Sequence, residues 1–191
     1  RRYQERGALL CFGQGTSYGR LVQQAERLAA RLCALGVRKG DRVVLNMQNC
    51  PQLVIAHFAI LRANAVVVPV NAMTTRTELA YYMADSDAHT IVVAQELLDQ
   101  VLPCCEGAPT QAGPGLRHGI VISYSDALQA PADSPVALWP QLPAVVTAAR
   151  LPLDKVGNAH LVAFADVVAQ QLPAPPFERL KVDDLAVLPY T

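Results

Sequence analysis

Apolar residues recur at helical spacing between Tyr18 and Leu35. Leu21, Ala25, Leu28, Ala29 and Leu32 share one face, while Gln24, Arg27 and Arg31 point elsewhere. Ser17 is placed to cap this helix and Gly36 to stop it. Before it, Ala8 to Phe12 reads as a strand. After it, Lys39-Gly40-Asp41 is turn chemistry, and Arg42 to Met47 has the apolar run of a strand. Asn49 or Cys50 then caps a second helix, with Pro51 in its first turn, where a missing N–H costs nothing. From Leu53 to Leu61 that helix is apolar nearly all round, which predicts burial on more than one side. Asn64 sits where a left-handed residue would end it.

The next run, Ala65 to Val70, is continuously apolar, as in a strand covered on both faces. A third helix is predicted over Thr77 to Ala84, with Thr74 or Thr75 near its cap. A strand follows over His89 to Ala94 and a short helix over Glu96 to Leu102. Strands and helices alternate through short connections. The fold class is therefore α/β, a mostly parallel sheet flanked by helices.

Beyond Pro103 the pattern loosens. Residues 104–118 and 129–143 are rich in Gly, Pro and small side chains. Gly119 to Ser123 reads as a further strand, Ala144 to Ala148 as a short one, and Leu161 to Gln170 as a short helix. Pro173, Pro175 and Pro176 stiffen a connector, and Asp184 to Thr191 reads as a buried terminal strand. The expected organisation is a three-layer core over 8–102, a loop-rich segment with further strands over 103–182, and a strand over 183–191. Arg1 opens the chain, and the last strand hands over to nothing. Both ends read as cuts within a larger protein.

Composition removes several function classes. The chain is 52% hydrophobic and 17% charged with zero net charge, so it folds, and it lacks the basic excess that binding nucleic acid requires. Its five cysteines (Cys11, Cys33, Cys50, Cys104, Cys105) lack ligand spacing. They read as reduced thiols of a cytoplasmic protein. His57, His89, His118 and His160 are too dispersed for a metal cluster. Polar residues interrupt the most apolar region, Leu53 to Val70, so no transmembrane span is predicted.

No local motif carries catalysis. Neither a G-x-x-x-x-G-K-[ST] loop nor a G-x-G-x-x-G after a strand is present. Gly13-Gln14-Gly15 reads as a turn and Gly113-Pro114-Gly115 as a loop breaker. Asp85-Ser86-Asp87 and Asp183-Asp184 read as solvated turns, and His57 as a core or interface histidine. Glu78 suits a helix start through the dipole, and Tyr81-Tyr82 reads as packing. Neither a catalytic residue nor a metal ligand is assigned.

Several strings, taken in order, resemble the adenylate-forming enzymes, the AMP-dependent acyl-CoA synthetases and their relatives. They are Thr16 to Leu21, Leu35 to Val43, Asn49-Cys50-Pro51-Gln52-Leu53 (similar to the family's Asn-Ser-Pro-Glu-Phe), and Leu61 to Asn71. Glu78-Leu79 and Asp85-Ser86 follow at the family's spacing. The likeness is close over 8–102, weak over 103–180, and returns at Asp183 to Thr191, where Leu188-Pro189-Tyr190-Thr191 resembles the long-chain fatty acid branch. Arg20 and Asn64 depart from the Glu and Gly usual there.

The resemblance implies the N-terminal portion of a fatty acid–CoA ligase, an enzyme using ATP, Mg2+ and CoA by way of an acyl-adenylate. It makes Thr191 the start of the nucleotide-binding phosphate loop. The rest of the parent enzyme is the implied partner, and peripheral membrane association of the parent is compatible with it. The segment by itself is expected to bind no cofactor and to be inactive, and its exposed apolar interface is expected to drive self-association. Two other readings stand beside this one. One is a free-standing α/β small-molecule or nucleotide-binding domain, with its site beyond the strand ends Asn46 to Asn49 and Val70 to Met73. The other is an association module.

Overall fold

The computed structural model describes residues 2–105, 115–128, 142–153, 159–175 and 178–190. It opens with an antiparallel hairpin, β1 (Gly7–Cys11) and β2 (Gln14–Ser17). Phe12 (φ 46°) and Gly13 (φ 76°) turn it, the doubly left-handed geometry that suits a two-residue hairpin loop. Then follow α1 (Tyr18–Ala34), β3 (Arg42–Asn46), α2 (Pro51–Arg62), β4 (Val66–Val70), α3 (Arg76–Asp85), β5 (Thr90–Ala94), α4 (Leu98–Cys105) and β6 (His118–Ile122). The short elements α5 (Ala144–Thr147), β7 (His160–Ala163) and α6 (Phe164–Ala169) complete it.

Five strands form one all-parallel sheet in the order β4-β3-β5-β6-β7. Every residue of β5 is buried, so helices cover both faces of the sheet there. Helix α1 packs on α2 and α6, and α3 packs on α4. The face expected of α1 is the face it buries: Leu28, Ala29 and Leu32 are wholly enclosed. Among the described residues no helix is long and apolar enough to cross a membrane.

The cap residues behave as their chemistry dictates. Ser17 Oγ accepts from the Arg20 N–H (3.3 Å). Thr75 and Glu78 form a reciprocal capping box at α3, so Glu78 does more than suit a dipole. Asn64 ends α2 at φ 59°, with its backbone bonded to Leu61 and Gly40. Those bonds survive a side-chain change, so Asn64→Ala isolates the dihedral strain and should cost about 1 kcal/mol. A shifted urea midpoint at constant slope checks this, with Asn64→Gly expected to show no loss.

Three expectations need correction. Ala144 to Thr147 is a helical turn, because Pro143 O accepts from the Val146 N–H (2.8 Å) and the run pairs with no strand. Leu161 to Ala163 belongs to β7, and the helix begins only at Phe164. Short apolar runs carry too little periodicity to separate those states. Helix α2 is buried on more than one side, as its apolar run predicts: Ile55, Ala56, Ala59 and Ile60 are enclosed, Leu53, Val54 and Leu61 pack partly against the core, and Phe58 is half exposed with His57 edge-on to its ring. Finally, residues 184–190 meet the sheet through one bridge, Val187 beside Val67, and Leu185 is exposed.

Candidate functional site

In an open parallel sheet, ligands enter where the strand order reverses, outside the carboxyl ends. Here the chain moves from β3 to its neighbour β4 through α2, then returns to β3's other side as β5. The reversal therefore lies between β3 and β5. Polar residues that are buried gather at this end. Asn46 closes β3, Gln95 follows β5, Ser123 follows β6, and Gln52 sits in the first turn of α2.

Most of these groups are satisfied by one another's loops. Gln95 Nε2 donates to Ala149 O (3.0 Å), and Gln95 Oε1 accepts from the Leu151 N–H (3.1 Å). Gln52 Nε2 donates to Ser123 O (3.1 Å), and the Gln48 N–H donates to Tyr124 Oη (3.0 Å). Burial, followed by the Glu96 carboxylate, pushes the Tyr124 hydroxyl well up, so it stays protonated. Two amides are not satisfied. Asn46 is wholly buried, yet neither its Oδ1 nor its Nδ2 has a hydrogen-bond partner, and Gln52 Oε1 has none either. Unpaired buried polar atoms are costly, and an Asn placed so departs from the apolar strand around it.

Beside this edge lies a cleft of about 1240 Å³, lined among others by Ser17, Arg20, Gln52, Asp126, Arg150 and Phe164. Arg150 Nε donates to Asp126 Oδ1 (2.5 Å), and Arg27 Nη1 donates to Val168 O (2.5 Å). Arg20, where the resembled family carries Glu, thus faces a cleft.

Cys50 is the N-cap of α2 in extended geometry, but its side chain makes no cap bond. Burial raises its thiol to about 12, and its Sγ lies 3.8 Å from Met47 Sδ. It is therefore protonated at neutral pH and serves as packing, not as a nucleophile. A hydroxyl fits this position better. Cys50→Ser should stabilise the chain by about 1 kcal/mol, read as a higher urea midpoint. The four cysteines Cys11, Cys33, Cys50 and Cys104 are free. Among the described residues no group of three His, Cys, Asp or Glu could hold a metal ion.

The other strand end singled out, Val70 to Met73, is a turn. Asn71 Oδ1 accepts from the Met73 N–H (2.9 Å), and Met73 is exposed. Asp85-Ser86-Asp87 is more than a solvated turn. Arg42 binds Asp87 Oδ2 (2.8 Å) and Ser86 O (2.5 Å), and Asp85 accepts from Tyr190. Thr191 and Gly113-Pro114 lie outside the described residues. Gln52, Gln95, Ser123 and Tyr124 were not singled out from sequence. For Gln95 and Ser123 the signal available is a polar residue directly after an apolar run, and Gln52 and Tyr124 lack even that.

These features define an open, parallel, doubly wound α/β domain with a polar recess at its carboxyl edge. The AMP-binding enzyme family matches residues 1–191, and the chain belongs to that family. It is 32% identical over 145 residues to the crotonobetaine/carnitine–CoA ligase of Escherichia fergusonii, covering 73% of this chain and 26% of the relative. The chain thus spans about a quarter of the length of the curated relatives it matches.

Among solved structures, the anthranilate–CoA ligase AuaEII in complex with anthranoyl-AMP superposes over all of this chain and 30% of its own, at TM-score 0.73 and 20% identity. A benzoate–CoA ligase from Burkholderia xenovorans LB400 covers 98% and 30%, at 0.68 and 21%. The Mycobacterium tuberculosis fatty acyl-CoA synthetase covers 93% and 27%, at 0.58 and 20%. At these identities the superpositions show a shared fold.

Proposed function

We propose that this chain is the N-terminal part of an AMP-forming acid–CoA ligase, which joins a carboxylic acid to CoA through an acyl-adenylate. The observation that carries this reading is the family match across residues 1–191. The substrate we favour is a medium- or long-chain fatty acid, supported by the Leu188-Pro189-Tyr190-Thr191 string. Similar proteins include ligases named for carnitine and for benzoate, so a panel of acids is the deciding assay.

The parent enzyme on this reading uses ATP, Mg2+ and CoA, with magnesium neutralising phosphate charge. On this reading this chain's part is scaffold. Its sheet anchors the chain that leads to Thr191, which on this reading opens the phosphate loop. On this reading residues 8–102 carry the first three strands of the core, 103–182 add β6 and β7 within a loop-rich extension, and 183–191 form the lead-in. The parent acts in the cytoplasm.

The 191-residue chain alone is inactive on this reading. ATP–pyrophosphate exchange by the purified chain should stay at background. Turnover that scales with the chain and survives removal of contaminating ligase contradicts that. Exposed Phe58, Met73, Val182 and Leu185 also favour self-association, which light scattering across a concentration series reads directly.

One observation favours a second reading, a small-molecule-binding domain: the unpaired amides of Asn46 and Gln52 at the strand reversal. Melting temperatures with ATP, AMP and CoA separate the two. A rise of several degrees with nucleotide on the isolated chain supports binding, and none is expected from the scaffold.

A further inference from the structure

Residues 186–188 pair with the outer edge of β4 at Val67, and side chains fasten the chain on either side of that bridge. Lys39 Nζ meets Asp184 Oδ2 at 2.7 Å, and the same oxygen accepts from the Lys181 N–H at 2.7 Å. The Val67 N–H donates to Ala186 O (2.9 Å), and the Leu188 N–H donates to Val67 O (2.8 Å). Those two bonds are the whole backbone ladder among the described residues. It ends there for a chemical reason: the next donor on this edge of β4 would be Pro69, which has no N–H to offer Leu188 O. A bridge this short at a sheet edge belongs to the part of a structure that opens most easily.

Past Pro189 the hold passes to side chains. The Tyr190 ring stacks on Tyr82, with centroids 4.5 Å apart and planes inclined by 26°. Its hydroxyl donates to Asp85 Oδ2 at 2.6 Å, the short distance of a bond to a charged acceptor. Tyr82 and Asp85 are three residues apart on α3, hence neighbours on one face. They meet the ring and the hydroxyl of one side chain together. Such a two-point grip fixes both the position and the rotation of Tyr190. Burial and then Asp85 raise the Tyr190 hydroxyl to about 12, so it remains a donor through the neutral range. Asp85 does not serve the turn chemistry beside it. Asp87 and Ser86 take up Arg42, and the Ser86 hydroxyl donates to Tyr82 O (2.6 Å).

We propose that Tyr82 and Asp85 are positioning residues that clamp Tyr190, setting where the chain stands and which way it heads at residue 190. The clamp rests on the contacts above. What it positions, the phosphate-loop segment opening at Thr191, rests on the ligase reading. Small misplacements of groups that hold a reacting phosphate cost much rate, so a clamp of this kind acts on turnover more than on substrate affinity.

The test has two arms that fail separately. In the first, amide hydrogen exchange is followed on the 191-residue chain. Tyr190→Phe and Asp85→Ala should each speed exchange at Leu188 about tenfold and leave β5 unchanged, while Asp85→Asn, which keeps an acceptor, changes little. Unchanged exchange at Leu188 overturns the clamp. In the second, acid-dependent ATP–pyrophosphate exchange is measured on the protein that continues past residue 191. Tyr190→Phe and Asp85→Ala should each lower kcat about tenfold with KM for the acid within about twofold. The double variant should be no worse than either single one, and Asp85→Asn should recover most of the rate. Normal kcat with accelerated Leu188 exchange overturns the positioning role and leaves a purely structural clamp. Losses that add fully, or that track a fall in melting temperature, overturn it too. If the wild-type protein shows no exchange of pyrophosphate, the ligase reading is what has failed, and the first arm alone decides the clamp.

Discussion

Leu28→Ala should lower the unfolding free energy by about 3 kcal/mol, a large fraction of what a domain possesses. Leu28 is wholly enclosed on the buried face of α1. Removing its branched end deletes apolar burial and leaves a space that close-packed neighbours fill poorly. Val22 on the same helix is 55% exposed. Val22→Ala should therefore change stability by less than about 0.5 kcal/mol. Urea unfolding of the two variants at one protein concentration gives the comparison. Similar losses from both, or a Leu28 effect below that of Val22, would contradict the packing described.

Asn46→Leu should do the opposite and stabilise the chain by about 1–2 kcal/mol. The reason is the enclosed amide: both polar atoms lack partners, so their desolvation is uncompensated. Leucine has the same branching and replaces that cost with apolar contact in a sheet already built of Val and Ile. Proteins retain such unfavourable residues where function asks for them. A higher urea midpoint supports the reading. A lower one shows that the Asn46 side chain has bonding that the leucine cannot replace. The same measurement on Gln52→Leu is not equivalent, because Gln52 Nε2 holds Ser123 O.

The sheet was legible because each of its first three strands is an apolar run flanked by residues with one strong conformational preference. Gly36, Asn64 and Thr75 did most of that marking. Legibility failed where the runs are short. Ala144 to Thr147 and Leu161 to Ala163 hold too few residues to display a period, and long-range pairing decides them: β6 offers an edge to Leu161, and no strand among the described residues pairs with Ala144. The hairpin partner β2 escaped notice because Gln14 to Ser17 has no apolar alternation, and its pairing is dictated by the turn at Phe12-Gly13.

The candidate recess was half legible. Asn46 stands out as a polar end to an apolar strand. The convergence of Gln52, Gln95 and Ser123 depends on which strands lie adjacent, and that order is not written locally. The Tyr82–Asp85–Tyr190 contact joins residues more than a hundred positions apart. Tyr81-Tyr82 and Asp85-Ser86-Asp87 looked like surface packing and turn chemistry for that reason.

The account stands most directly on one assay. The protein that continues past residue 191 should be incubated with ATP, Mg2+, CoA and a panel of carboxylic acids, and its nucleotide and thioester products quantified. The ligase reading predicts acid-dependent release of AMP and diphosphate with an equal amount of acyl-CoA, strongest with a medium- or long-chain fatty acid. Nucleotide turnover that ignores the acid, or that yields ADP in place of AMP, would contradict it.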